Sequence, residues 1–300
     1  MNARVHHWVK AARPLSLGNI WPPALAGWFL ATDAGAAGGS GWLLLLLVAC
    51  WLDQLAIVFL NEVADQAADR LNPRPTLFSG GSRVLVDALI PAATLRRAGL
   101  LAASGFLGLC LLAGLLLGDW RAPALALAGI ALLHAYSFRP LRLNYEGGGE
   151  LLQALGVAFV LPGLGLLLAG GTWGLLAPDE WLGLFLLAMP GALGSTLTDA
   201  PADRLAGKET LAARFGTSAA ALLGLASGCT ALGLLADRFS PLGFWSLVTL
   251  LGLLLLQRAA FRLWRLPESE AAHGWNRLSA QLLLVFTMLG WLGLGPLSSI

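Results

Sequence analysis

The stretch Trp42-Leu-Leu-Leu-Leu-Leu-Val-Ala-Cys50-Trp-Leu-Asp53-Gln-Leu-Ala-Ile-Val-Phe-Leu60-Asn61-Glu62-Val-Ala-Asp65-Gln-Ala-Ala-Asp69-Arg70 decides the fold. Its first two thirds form an apolar run of about 20 residues, the length a helix needs to cross the hydrocarbon of a bilayer. Its last third is different. Asn61, Asp65 and Asp69 recur at i, i+4 and i+8, which places them on one face of that helix, with Glu62 beside them. Like charges at this spacing repel, and an aspartate at membrane depth costs about 2.5–3.5 kcal/mol. A chain that keeps such a stripe has something to neutralise it. Oxygen donors without His or Cys nearby suit a hard cation, magnesium before zinc.

The rest of the chain agrees with a lipid solvent. Of its 300 residues 57% are hydrophobic and 12% charged, and its mean hydropathy is +0.73. A soluble domain carries about 25% charge, so too little polar surface exists to cover a core in water. The net charge of +2 is too small to imply nucleic acid. Cys50, Cys110 and Cys229 are scattered through apolar stretches and read as small buried hydrophobes, not a disulfide framework or zinc site. The N-terminal segment shows no cleavable-signal pattern. It reads as a short amphipathic helix on the membrane surface, anchored by Trp8.

Apolar runs predict nine transmembrane spans, at about 16–33, 42–66, 97–118, 121–138, 150–170, 181–199, 217–236, 241–258 and 278–297. With that division, all of the 19 Lys and Arg residues except Arg121 and Arg238 fall on one side. The positive-inside rule makes that side cytoplasmic, with the N-terminus inside and the C-terminus outside. The expectation is an all-α polytopic protein, residues 1–300 as a single domain, in the cell's inner (cytoplasmic) membrane, with its chemistry facing the cytoplasm.

A second acidic stripe ends the sixth span: Ser195, Asp199 and Asp203, again at i, i+4 and i+8. Pro201 is expected to loosen the helix there and leave Asp203 in a loop. A lone aspartate of this kind reads as an interfacial charge. Two matching clusters on one side point to a shared site, and magnesium prefers one or two carboxylates plus waters and phosphate oxygens to an all-protein cage. The pair therefore suggests a diphosphate bridged by metal ions. Its charge also needs direct cations. Arg70, Arg74 and Arg83 follow the first cluster, the last within Ser79-Gly80-Gly81-Ser82-Arg83, where glycines can form a phosphate nest. Lys208, one of two lysines, follows the second cluster and reads equally as a ligand or a solvated loop residue. Tyr136, one of two tyrosines, serves as a phosphate donor beside Arg142 or as a belt anchor. His134 reads as a packing residue. Asp53 has no account at this level.

These residues resemble the UbiA superfamily of intramembrane prenyltransferases, which carries an NDxxDxxxD motif ending its second helix and a DxxxD motif ending its sixth. Here they stand as Asn61-Glu62-x-x-Asp65-x-x-x-Asp69 and Asp199-x-x-x-Asp203, and Arg13-Pro14 fits the family's first-helix start. Two stretches, Tyr136–Glu150 and Asp203–Gly216, look like the branch that prenylates 1,4-dihydroxy-2-naphthoate in menaquinone synthesis. Glu62 replaces the usual Asp, Ser195 a frequent Asn, and Arg139 and Arg142 stand near a usual Pro and Lys.

The resemblance implies nine helices around a central cavity and Mg2+ as cofactor. It makes a prenyl diphosphate and an aromatic quinone precursor the small-molecule partners, within the lipid bilayer. Asn61, Glu62, Asp65, Asp69, Asp199 and Asp203 would hold metal. Arg13, Arg74, Arg83, Tyr136, Arg142 and Lys208 would hold the diphosphate. Asp65 and Asp199 would be catalytic, with Asp199 the candidate base. The same diphosphate site would equally serve 4-hydroxybenzoate, homogentisate, a glycerol-phosphate lipid or terpene cyclisation. A non-enzyme rival, an ion-coupled transporter, would place its acids near the bilayer midplane.

Overall fold

The computed structural model describes residues 3–72, 80–236 and 244–291, and among them it is helical, without a strand. Helix α1 (Ala3–Ala12) leads through a tight 3₁₀ turn, Pro14–Asn19, into α2 (Trp21–Asp33). The acidic stretch lies on α3 (Ser40–Leu71), followed by α4 (Ala92–Leu117) and α5 (Arg121–Ser137). Helix α6 (Gly149–Leu168) carries a π-turn at Gly156–Val160. Then come α7 (Pro178–Leu205), α8 (Thr217–Leu234), α9 (Phe244–Arg265) and α10 (Glu270–Trp291).

Among the described residues, six of these helices are long and apolar enough to cross a membrane: α3, α4, α6, α7, α8 and most of α9. The expected count of nine differs for local reasons. Helix α2 has 13 residues because its predicted first turn is the 3₁₀ segment, and α5 has 17. The predicted last span runs past Trp291, outside the described residues. Leu101, Leu115 and Leu116 on α4 are 65–74% exposed, which suits a lipid-facing surface and no aqueous one.

Helix α3 has 32 residues, so at 1.5 Å per residue it is roughly 48 Å long. A hydrocarbon core of about 30 Å is crossed in some 20 residues. The acids at its C-terminal end therefore project to the interface. On α7, both Pro190 and Pro201 lie within an unbroken helix, and Asp203 is helical and buried. That overturns the expectation of a loop at Asp203. Proline inside a helix frees a carbonyl, a loss that neighbouring helices and hydroxyls can offset. Ser195, Thr196 and Thr198, between the two prolines, each donate to the carbonyl three residues back, so their hydroxyls are satisfied within the helix.

Close packing fixes the bundle. Gly27 on α2 faces the Pro162 carbonyl of α6, and Gly165 on α6 faces the Ala24 carbonyl of α2, so a methyl group at either glycine would overlap backbone. Small residues at such a contact let two helices approach without a hydrophobic driving force. Leu164, Leu168, Leu187 and Leu197 fill the core behind it, each no more than 1% exposed. Helix α1 docks on α3 through Trp8, whose ring meets Phe59 edge-on at 5.7 Å, and through buried Ala11.

Candidate active site

A cavity of about 700 Å³ opens between α3, α5, α6, α7, α10 and the N-terminal segment. At its charged end lies a smaller cavity of about 50 Å³, into which Asp65 and Asp69 come from α3 and Asp199 and Asp203 from α7. Asn61, Arg13 and Lys208 complete its wall. The sequence spacing explains the convergence. Each helix turns its i, i+4 face inward, and the two faces meet.

Lys208 is no solvated loop residue. Only 8% exposed, it sits 3.1 Å from Asp65 Oδ1 and 3.5 Å from Asp203 Oδ1, bridging the two helices. Burial alone would lower its pKa, but Asp65 and Asp203 outweigh burial and hold the ammonium charged. Gly207 in the left-handed region (φ 71°) turns the chain back after α7 so that Lys208 N–H bonds the Asp203 carbonyl at 2.8 Å. Asn144 Nδ2 donates to Asp65 Oδ2 at 3.1 Å, and Thr210 Oγ1 to Asp203 Oδ2 at 3.4 Å. Asn61 donates to Asp65 at 3.3 Å and accepts from Ser137 Oγ at 3.1 Å.

Glu62 stands outside this ring. Arg13 Nη2 donates to its Oε2 at 2.6 Å, Ser82 N–H to the same oxygen at 2.9 Å, and Ser82 Oγ to Oε1 at 2.7 Å. Gly80 N–H donates to Asp199 Oδ1 at 2.8 Å. The Gly80–Ser82 segment therefore ties α3 to α7. Gly81 needs its φ of 68° and its missing side chain, since a methyl there would overlap the Asp69 carboxylate. Among the described residues the buried Nε of Arg13 has no partner, an open donor beside the cavity.

The remaining candidates divide. Tyr136 and Arg83 line the large cavity, and Arg83 also pairs with Asp87 at 3.4 Å. Arg142 turns away and lies over the Tyr145 ring, 3.3 Å from its centroid. Burial, then the charge of Asp65, pushes the Tyr145 phenol up, so it stays a donor. Arg74 lies outside the described residues. Three contributors were missed. Asn144 follows the Arg142 turn without an acidic or basic signal. Ser137 ends α5 beside Tyr136. Arg277, which the predicted spans leave in the loop before the last one, sits within α10, lines the large cavity and interacts electrostatically with Asp199. Its signal was present, as the sole cation inside the last helix.

The donor set can be tested against a metal. Among the described residues no three carboxylates converge tightly enough to cage an ion alone. Magnesium does not ask for that, since it keeps waters and takes phosphate oxygens beside one or two carboxylates. Four carboxylates and an amide oxygen around a small cavity, with cations at its rim, fit that habit.

Fold and site together define an intramembrane helical protein that gathers carboxylates and cations at the mouth of an apolar chamber. The chain matches the UbiA prenyltransferase family over residues 20–294, and it belongs to that family. Solved structures share the fold. A UbiA homologue from Archaeoglobus fulgidus, bound to GPP and Mg2+, has a TM-score of 0.63 at 13% identity over 96% of this chain and 100% of its own. The apo UbiA homologue from Aeropyrum pernix K1 gives 0.66 at 20% identity, covering 92% and 96% of the two chains. A digeranylgeranylglyceryl phosphate synthase gives 0.62 at 16% identity over 97% and 99%. No curated protein matches the chain in sequence.

Proposed function

We propose that this prenyltransferase uses magnesium to transfer a prenyl group from a prenyl diphosphate to an aromatic quinone precursor, 1,4-dihydroxy-2-naphthoate or a close relative. The observation that carries the diphosphate half is the convergence of Asp65, Asp69, Asp199 and Asp203 with Lys208 and Arg13 on one small cavity. The acceptor half rests on the two stretches that resemble the naphthoate branch. They pack on each other: Glu209 N–H donates to the Tyr145 carbonyl at 2.9 Å and Leu211 N–H to Glu150 Oε1 at 2.8 Å.

In this reading Asn61, Asp65, Asp69, Asp199 and Asp203 would hold magnesium, which when bound supplies positive charge against the departing diphosphate. Lys208, Arg13 and Arg83 bind the diphosphate oxygens directly and gain strength as negative charge grows on them. Tyr136 donates to the same group. Glu62 positions Arg13 and the Gly80–Ser82 segment. Ile57, Val58 and Leu132 keep water from the allylic carbon as the C–O bond breaks. Asp199 accepts the proton lost from the acceptor ring. The prenyl tail leaves sideways into the bilayer. Nine passes, with the N-terminus and site cytoplasmic, fit the one-sided distribution of basic residues.

The test incubates purified protein with magnesium, prenyl diphosphates of several lengths and a panel of acceptors, with products read by mass spectrometry. The panel holds 1,4-dihydroxy-2-naphthoate, 4-hydroxybenzoate, homogentisate and a glycerol-phosphate lipid. Prenylation of the naphthoate above the others is expected. Turnover of the lipid alone would overturn the acceptor assignment and leave the diphosphate site standing.

A further inference from the structure

The large cavity has a polar floor that diphosphate chemistry does not use. Gln54 precedes Asp65 by eleven residues, close to three whole turns, so both point to one side of α3, Gln54 roughly 16 Å deeper. Asp53 lies beside it, and both line the cavity. They are 7% and 2% exposed. Among the described residues Asp53 has no hydrogen-bond or ion-pair partner, and the buried Gln54 Nε2 has none either. Between this floor and Asn61 the wall is apolar, built from Ile57 and Val58 of α3, Leu132 and Leu133 of α5, and Val160 and Leu161 of α6.

An unpartnered carboxyl and amide at membrane depth are expensive unless a ligand satisfies them. A structural role would show as bonds to neighbouring helices, and none is formed among the described residues. A hydrocarbon tail offers no hydrogen bond and would leave both groups buried dry. The collar is two helical turns tall, roughly 10 Å from Asn61 to Gln54, which suits a flat fused-ring aromatic with polar substituents at its far end. We propose that Asp53 and Gln54 form the distal end of the acceptor site. Asp53 accepts a hydrogen bond from a ring hydroxyl, and Gln54 donates to a carbonyl or carboxylate oxygen of the same ring system. The inference rests on the aromatic-acceptor reading above and says where in the chamber that acceptor is read.

The experiment compares wild type, Asp53→Leu and Gln54→Leu in two assays. Steady-state kinetics give KM separately for 1,4-dihydroxy-2-naphthoate and for the prenyl diphosphate. Thermal unfolding without magnesium measures the shift produced by 1,4-dihydroxy-2-naphthoate alone. Each variant should raise the acceptor KM about tenfold, the loss of one buried hydrogen bond. The diphosphate KM should stay unchanged, and the thermal shift should shrink. Both variants should unfold at or above the wild-type temperature, since each removes an unpaired buried polar group. Wild-type turnover with unchanged acceptor KM in both variants would overturn the inference and leave the proposed function standing. No turnover, with a thermal shift that depends on Asp53, would do the reverse. Neither turnover nor shift in wild type would overturn both; equal rises in the two KM values would overturn the inference alone.

Discussion

Lys208→Met should weaken both the fold and the reaction, and the structure allows the size to be worked out. Methionine keeps most of the stem and deletes the ammonium that joins α3 to α7. At 3.1 and 3.5 Å, each contact is worth about 5 kcal/mol with an effective dielectric of about 20. Much of that offsets desolvation, and breaking a buried pair costs about 3–5 kcal/mol. For a chain of this size the loss corresponds to a drop on the order of 10 °C in Tm. The reaction loses a cation aimed at the leaving group, a loss of about 100- to 1,000-fold in kcat.

Magnesium and Lys208 neutralise the same carboxylates, so added magnesium should raise the Tm of the variant more than that of wild type. The pH dependence has a definite sign. A lysine whose folded pKa is raised contributes its stability fully below the unfolded value of about 10.4 and loses it only as pH climbs through the folded value. The gap between wild type and variant therefore holds from neutral pH to about pH 10. The assay is fluorimetric unfolding with magnesium or EDTA, beside initial rates of prenyl transfer. A variant that unfolds at the wild-type temperature in both conditions and turns over at the wild-type rate would refute the bridging role.

Asp65→Ala and Asp199→Ala should each abolish prenyl transfer while circular dichroism and elution volume stay those of wild type. EDTA should stop the wild-type enzyme and magnesium should restore it; activity that persists in chelator would count against the metal site. Gly165→Leu drives a side chain into the Ala24 carbonyl, where backbone must move. Its overpacking cost should reach or exceed the upper end of about 1–3 kcal/mol, seen as loss of the monodisperse peak in detergent. Gly81→Ala combines a left-handed backbone, about 1–2 kcal/mol, with overlap on Asp69. It should raise the KM for prenyl diphosphate and lower Tm by only a few degrees.

The bundle was legible because lipid imposes length and composition on a helix, and the run before Asn61 obeys both. The two aspartate faces were legible because helical spacing is a local property. What sequence spacing could not show was where irregular backbone leads. Asn144 reaches Asp65 only because Gly147 and Gly148, at φ 92° and 95°, fold the segment between α5 and α6 back onto α3. Arg277 was assigned to a loop because a cation normally ends an apolar run, whereas α10 begins seven residues earlier and carries it inward. Pro201 misled for the opposite reason. Its missing N–H is a local defect, and packing of α7 on its neighbours overrides it.

Glu62 shows how a local departure becomes sensible only in three dimensions. By sequence it is a misfit, a carboxylate one methylene too long at the head of a metal motif. In the fold, the extra reach takes it away from the ring of aspartates and onto Arg13 and Ser82. Through Ser82 it holds the segment whose Gly80 caps Asp199, and through Arg13 it holds the start of the 3₁₀ turn before α2. Four acids facing one another would repel; Lys208 meets Asp65 and Asp203, Asn144 meets Asp65, Gly80 N–H meets Asp199, and Arg13 meets Glu62 beside the ring. The carboxylates are thus partly neutralised before any ligand arrives, and the negative charge that remains is left for a metal. A diphosphate with its metal then enters a site whose side chains are already held in place. Preorganisation of this kind lowers the cost of charge development in the transition state, because the donors need not be reoriented when the leaving group departs.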